Sequence, residues 1–221
     1  MQASPASRDD LVAAHRAALF TRVGEHFSRI AWQRAAIAQY QEQQLRGLLA
    51  TAIARSPFHR QRLRGVDPAQ FRLEDLASLP VMTKAAMMAN FDEVVTDPRL
   101  RLEQVEAHLA GMGETPRYLL DEYLAITSGG SSGVRGVFVY GWDAAVEYTL
   151  GNLRRVMAAP VTPPHGGRPR MSMVAAGKAY HATRAMPQVF APAVNELQSL
   201  PVTAPLDELV AALNEFQPDL L

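Results

Sequence analysis

A ten-residue segment rich in glycine and hydroxyl side chains, TSGGSSGVRG at residues 127–136, has the composition of a ligand-binding loop. Glycine permits positive φ angles and close approach of the backbone to a ligand. Consecutive N–H groups in such a loop form a concave anion site. Hydroxyl groups add donors, and a guanidinium fork suits phosphate oxygens. We therefore predict nucleotide phosphate binding by Thr127, Ser128, Gly129, Gly130, Ser131, Ser132, Gly133 and Arg135.

Three known nucleotide- or RNA-binding motifs fit this loop less well. A Walker A loop needs a lysine, and residues 127–136 contain none. The dinucleotide fingerprint G-x-G-x-x-G fails because Ser128 occupies a glycine position and a strand is predicted to follow. The GSSG at 130–133 fits the GxxG of KH domains, but flanking strands and the lack of a local basic cluster argue against RNA. An ordinary hairpin tip stays open as an alternative, since such tips are also rich in glycine and serine.

The elements around the loop predict an α/β fold. Apolar runs at 123–127 and 137–140 read as strands on either side of the loop, and 142–159 reads as a helix. Further strands are predicted at 171–176 and 195–202, with helices at 181–190 and 206–216. Strands that alternate with helices favour a mixed or parallel sheet covered by helices.

The first part of the chain reads as a helical N-terminal lead-in. Ser7 and Asp10 have the spacing of a capping box, and the helical pattern runs to residue 55 with a predicted break at 24–28. Pro57 then ends it. A helical apolar stripe is predicted from Leu45, Leu48, Leu49, Ala52 and Ile53. We divide the chain into a helical region, 1–100, and an α/β region with the Gly/Ser loop, 101–221.

Composition narrows the class of protein. The 221 residues carry 22 basic and 22 acidic side chains and no cysteine. The net charge gives no drive toward nucleic acid or membrane, and disulfides and thiolate metal sites are excluded. The polar N-terminus does not resemble a signal peptide, and no apolar run approaches the ~18 residues of a membrane span. We expect a cytoplasmic protein.

Several segments together resemble one known family. The loop is similar to the phosphate motif [ST]-[ST]-G-[ST]-[ST]-G-x-P-[KR], with Arg135 and Gly136 where that motif has its terminal Pro-Lys. LLATAIARSPFH at 48–59, LPVMTK at 79–84, FDEVVTDP at 91–98 and the stretch 206–221 are similar to segments of the same proteins. The chain from Gln44 onward thus resembles the adenylate-forming (ANL) superfamily, specifically the phenylacetate–CoA ligase-like branch.

The resemblance implies an AMP-forming reaction in two steps. A carboxylate, aryl or related, attacks the α-phosphate of ATP, and a thiol such as coenzyme A then takes the acyl group. ATP, Mg²⁺ and coenzyme A are the implied cofactors, and the loop would hold the β- and γ-phosphates. His181 falls where the family often has an aromatic residue or histidine facing the acyl site, although a histidine hydrogen-bonded at a helix start is an alternative.

The family's remaining essential parts lie beyond this chain. They are the adenine and acyl pocket, the ribose-binding aspartate and a catalytic lysine, so we assign no catalytic residue here and expect residues 1–221 alone to be inactive. Residues 217–221 read as the beginning of a buried strand, which suggests a truncated chain that self-associates. Two alternatives remain: a non-catalytic module that binds nucleotide or a partner, and a phosphotransferase.

Overall fold

The computed structural model describes residues 7–129, 133–157, 163, 165–193 and 195–221. The chain separates into two compact units. Unit 1 comprises Met1–Ile30, His108–Gly129 and Val137–Leu221, and unit 2 comprises Ala31–Ala107 and Gly130–Gly136. The fold is a mixed α/β structure with a helical N-terminal region, as the sequence predicts.

Unit 1 begins with the long helix α1, Arg8–Ser28, which has the predicted capping box. The Asp10 N–H donates to the Ser7 hydroxyl at 3.2 Å, and the Asp10 carboxylate accepts the Ser7 N–H at 3.1 Å. The predicted helix break is present but lies just after 24–28, because α1 continues through Gly24 to Ser28 and the next long helix begins at Arg34. Leu19 and His26, seven residues apart on one face, are buried. Their packing outweighs the helix penalty of glycine, about 1 kcal/mol.

The predicted strands around the loop form an antiparallel sheet in unit 1. It contains β1, Tyr118–Leu119, β2, Tyr123–Thr127, and β3, Val137–Gly141, in that order. In β2 and β3, Thr127 lies opposite Val137, so the loop closes a hairpin in register. Helix α7, Trp142–Met157, follows directly.

A second sheet of unit 1 contains two parallel strands. Strand β4, Arg170–Ala175, and strand β5, Glu196–Pro201, are joined through helix α8, Ala182–Phe190. Met171 lies opposite Leu197 in their register. Parallel neighbours need such a crossover connection, which is what the alternating sequence pattern predicts.

The end of the chain packs against the free edge of β4. Helix α9, Leu206–Phe216, leads to Leu220, which forms a parallel bridge with Met171. The Ser172 N–H donates to the Leu220 carbonyl at 2.9 Å. Residues 217–221 therefore make one isolated strand-like bridge at Leu220, whereas Leu221 is 83% exposed and the predicted burial is not seen. Self-association stays a prediction because a single chain does not test it.

The core of unit 1 joins α1, α7 and α8 to the antiparallel sheet. Its buried members come from both halves of the chain, so the first helix is integral to the α/β unit. They are Val12, Leu19, Tyr118, Leu124, Ala145, Val146, Leu150, Met186, Val189 and Phe190.

Unit 2 contains the helices α2, Arg34–Arg55, α3, Pro57–Arg62, α4, Lys84–Ala89, α5, Phe91–Val94, and most of α6, Leu102–Ala110. Its core contains Leu49, Leu63 and Phe71, with Leu45 and Ile53 packed against them. No helix in the described part of the chain is long and apolar enough to cross a membrane.

The predicted apolar stripe of α2 is wrong at Leu48, which is 66% exposed. Successive residues of an α-helix are rotated by about 100°. Leu48 therefore lies at one edge of the stripe, about 140° around the helix from Ile53 at the other. The core of unit 2 contacts the middle of the stripe and its edge at Ile53, and Leu48 at the other edge is exposed to solvent.

Hydroxyl caps hold the short helices of unit 2 in place. The Ser56 hydroxyl accepts the His59 N–H at 3.2 Å and donates to the Glu93 carbonyl at 2.7 Å, so it caps α3 and ties it to α5. Thr83 caps α4 as predicted, accepting the Ala86 N–H at 3.1 Å. The segments SPFH and MTK thus have a local structural role.

His15 is a buried titratable group in the core of unit 1. Its side chain is fully inaccessible, its Nδ1 lies 2.7 Å from the Tyr118 hydroxyl, and its ring centroid lies 3.5 Å from that of Trp142. Its Nε2 has no hydrogen-bond partner among the described residues. Burial lowers the pKa of His15 from 6.5 to about 4, because a charged imidazolium would lose its hydration here.

We expect stability to fall as the pH is lowered from 6.5 to 4. The unfolded chain binds the His15 proton near pH 6.5 and the folded chain only near pH 4, so protonation favours unfolding in that window. This contribution is complete above pH 6.5, and its loss reaches about 3 kcal/mol at pH 4. Urea titrations of the wild type and His15→Gln across this range measure it. A loss of the same size in His15→Gln would contradict the assignment.

Candidate functional site

The first residue of the Gly/Ser loop is held firmly in unit 1. Thr127 ends β2 and is 4% exposed, and its N–H donates to the Tyr180 carbonyl at 2.6 Å. Thr127 and His181 also form a parallel bridge. The hairpin therefore joins the segment just before α8, and the loop starts from a fixed position. Gly130, Ser131 and Ser132 lie outside the described residues.

Gly133 has the backbone conformation that the loop prediction requires. Its φ is +84°, in the left-handed region that glycine adopts without steric cost. A Cβ added at this position would meet no atom of the described residues within 4 Å. Glycine is thus needed here for its backbone angle, and Gly133 itself is exposed.

Arg135 is the cation of the described part of the loop. Its guanidinium donates to the Glu106 carboxylate on α6, within unit 2. The two side chains are 46% and 36% exposed, respectively. The ion pair is therefore in contact with solvent, where such pairs contribute little to stability. The guanidinium has five N–H donors, and one carboxylate does not occupy them all.

His181 lies beside the start of the loop. It is the N-cap of α8, where its carbonyl accepts the Arg184 and Ala185 N–H groups, each at 2.9 Å. Its side chain makes no capping hydrogen bond among the described residues, so at the helix start the backbone of His181 is hydrogen-bonded and its ring is not. The ring is partly exposed and lies 4.6 Å from that of Tyr180, centroid to centroid. The bridge to Thr127 brings the candidate acyl-site residue next to the first of the phosphate-loop candidates.

Two features of this site were not anticipated from the sequence. Glu106 contacts Arg135 from 29 residues away, and the Tyr180 carbonyl contacts Thr127 across 53 residues. Neither partner belongs to a recognisable motif. Only a pairing of distant elements brings these groups together, so no local signal could have found them.

The implied Mg²⁺ finds no ready set of protein ligands. No group of three or more His, Asp or Glu side chains suited to a metal occurs among the described residues. Mg²⁺ is often held largely by substrate phosphates and water, with one or two carboxylates. We therefore assign no step to the metal.

One comparison shows the fold to which these elements belong. The chain matches the crystal structure of an open conformation of 2-hydroxyisobutyryl-CoA ligase in complex with 2-HIB-AMP and CoA. The TM-score is 0.55 and the sequence identity is 20%, over 86% of this chain and 41% of that one. No family model matches the chain, and no curated protein matches it significantly. The chain thus has the fold of part of an acyl-CoA ligase and spans less than half of that ligase's length.

Proposed function

We propose that this chain is the N-terminal part of an ATP-dependent carboxylate–CoA ligase of the phenylacetate–CoA ligase-like branch. The observation that carries the proposal is the Gly/Ser loop, which joins two paired strands in a chain that matches an acyl-CoA ligase. The positive φ of Gly133 and the position of Arg135 near the loop's end support phosphate binding. That the matched ligase was crystallised with an acyl-adenylate and coenzyme A supports the reaction class.

In the proposed reaction, a carboxylate oxygen bonds to the α-phosphorus of ATP and the bond from that phosphorus to the bridging oxygen breaks. Pyrophosphate leaves with the bonding electrons. The loop's N–H groups and Arg135 would hold the β- and γ-phosphates and stabilise the charge that develops on them. A thiol, coenzyme A, then attacks the acyl carbonyl and AMP leaves. Mg²⁺, when bound with the nucleotide, would neutralise part of the phosphate charge.

His181 is proposed to face the acyl group rather than the phosphates. It adjoins Thr127 through the bridge, and its ring stays partly exposed without a capping bond. An aryl or related acid would suit the neighbouring ring of Tyr180, since aromatic rings pack favourably edge to face or offset. The acid would be activated next to the start of the phosphate loop.

The alternative function is a non-catalytic module that retains the fold and binds nucleotide or a partner. Such a module would use the same phosphate loop as the proposed ligase but would not convert substrate to product. A phosphotransferase would share the loop as well and would leave ADP rather than AMP and pyrophosphate. Product analysis of a complete protein that contains this chain separates the three: AMP and pyrophosphate indicate a ligase, ADP a phosphotransferase, and no turnover a binding module.

We expect residues 1–221 to bind ATP no more tightly than inorganic tripolyphosphate. The resemblance assigns the adenine and ribose contacts to parts of the family outside this chain, so we expect adenosine to add nothing to the affinity. Calorimetry with both ligands should give dissociation constants on the order of 1 mM, or about −4 kcal/mol. Micromolar binding of ATP with weak binding of tripolyphosphate would show an adenosine site and contradict the proposal.

A further inference from the structure

We propose that Glu106 is a positioning residue that competes with phosphate for Arg135 and is displaced from it when a polyphosphate binds. This inference rests on the proposed phosphate-binding function. Glu106 lies on α6 and accepts one charged hydrogen bond from the same guanidinium that we assign to phosphate.

The geometry favours competition between Glu106 and phosphate for Arg135 over permanent support of Arg135 by Glu106. A carboxylate and a phosphate are both anions, and both accept hydrogen bonds from the planar N–H fork of an arginine. A polyphosphate that engaged Arg135 with Glu106 still in place would lie beside a like charge. Since both side chains are about one-third to one-half exposed, the guanidinium can leave the carboxylate at small cost.

The contact also has a consequence for selectivity. A ligand with a single negative charge gains little by displacing Glu106, because it exchanges one carboxylate for another anion of similar charge. A pyrophosphate or triphosphate end brings several charges and more oxygen acceptors. Glu106 would thus favour polyphosphates over carboxylates and monophosphates at Arg135.

The test measures inorganic pyrophosphate binding to the 221-residue chain by NMR titration. Glu106→Gln should bind pyrophosphate about two- to fivefold more tightly, the range expected from loss of one exposed ion pair. Glu106→Asp keeps the charge and should bind as the wild type does. Glu103→Gln is the matched control, since it removes the same charge one turn away on the exposed surface of α6.

A second variant separates this inference from the function on which it rests. Arg135→Ala should weaken binding, and adding Glu106→Gln to it should give no further gain. If Arg135→Ala leaves pyrophosphate affinity unchanged, the role of Arg135 in the proposed function fails. If Arg135→Ala weakens binding while Glu106→Gln equals Glu103→Gln or lowers the affinity, only the competition fails.

Discussion

Replacing Gly133 by valine should abolish adenylation in a ligase that contains this chain. At φ +84° a β-branched side chain is strained, so the substitution forces the backbone to another conformation and moves its N–H groups. Loss of one preorganised donor of this kind costs a factor of about 10²–10³ in rate. Displacing several at once should cost more. Pyrophosphate release with ATP and an acid substrate measures the effect.

Gly65 offers a matched control for this substitution. Its φ is +86°, and a Cβ added there also meets no atom within 4 Å, so Gly65→Val introduces the same strain outside the loop. We expect Gly65→Val to lower stability and to retain adenylation. If Gly133→Val adenylates as fast as an active Gly65→Val variant, the loop has no part in the mechanism.

Residues 1–221 alone should release no measurable pyrophosphate. The resemblance assigns the adenine and acyl pocket and the catalytic lysine to parts of the family outside this chain. Lys84 is the first residue of α4, and Lys178 is exposed directly after Gly177. Neither of these two lysines has a role in the proposed reaction. A single preorganised cation is worth ~3–4 kcal/mol, and the resemblance places most of the acyl pocket outside this chain as well. The assay contains ATP, Mg²⁺ and a panel of aryl acids.

Turnover by the isolated chain would contradict this prediction. The complete ligase, assayed in parallel, shows that the acids and conditions are suitable. An Arg135→Ala variant distinguishes a trace of a contaminating AMP-forming ligase from the chain itself, since a contaminant would be unaffected by the change.

Local sequence patterns were sufficient where an element depends on its own residues. The strands on both sides of the loop and helix α9 were predicted from alternation and from helical spacing, and all are present in the structure. The position of the helix break, after Ser28 and not at Gly24, and the exposure of Leu48 were not predicted, and both have one cause. Whether a helix continues past a residue, and whether it leaves a side chain exposed, both depend on what packs against the helix. The residues that pack there lie in distant parts of the chain.

The candidate site was predictable in its residues and not in its contacts. Glycine and hydroxyl composition located the loop, and the positive φ of Gly133 agrees with that interpretation. The surroundings depend on tertiary structure: the Thr127 bridge to His181 and the Arg135 pair with Glu106 join elements far apart in sequence. Phosphate binding by the loop stays a prediction, and it is the central claim.

Mapping inorganic tripolyphosphate onto the backbone amides of the 221-residue chain by NMR tests that claim most directly. We predict millimolar binding with the largest shifts at Gly129, Gly133 and Arg135, and the loss of these shifts in Gly133→Val but not in Gly65→Val. Saturable shifts centred elsewhere, or none in the loop at concentrations of about ten times the expected dissociation constant, would contradict it.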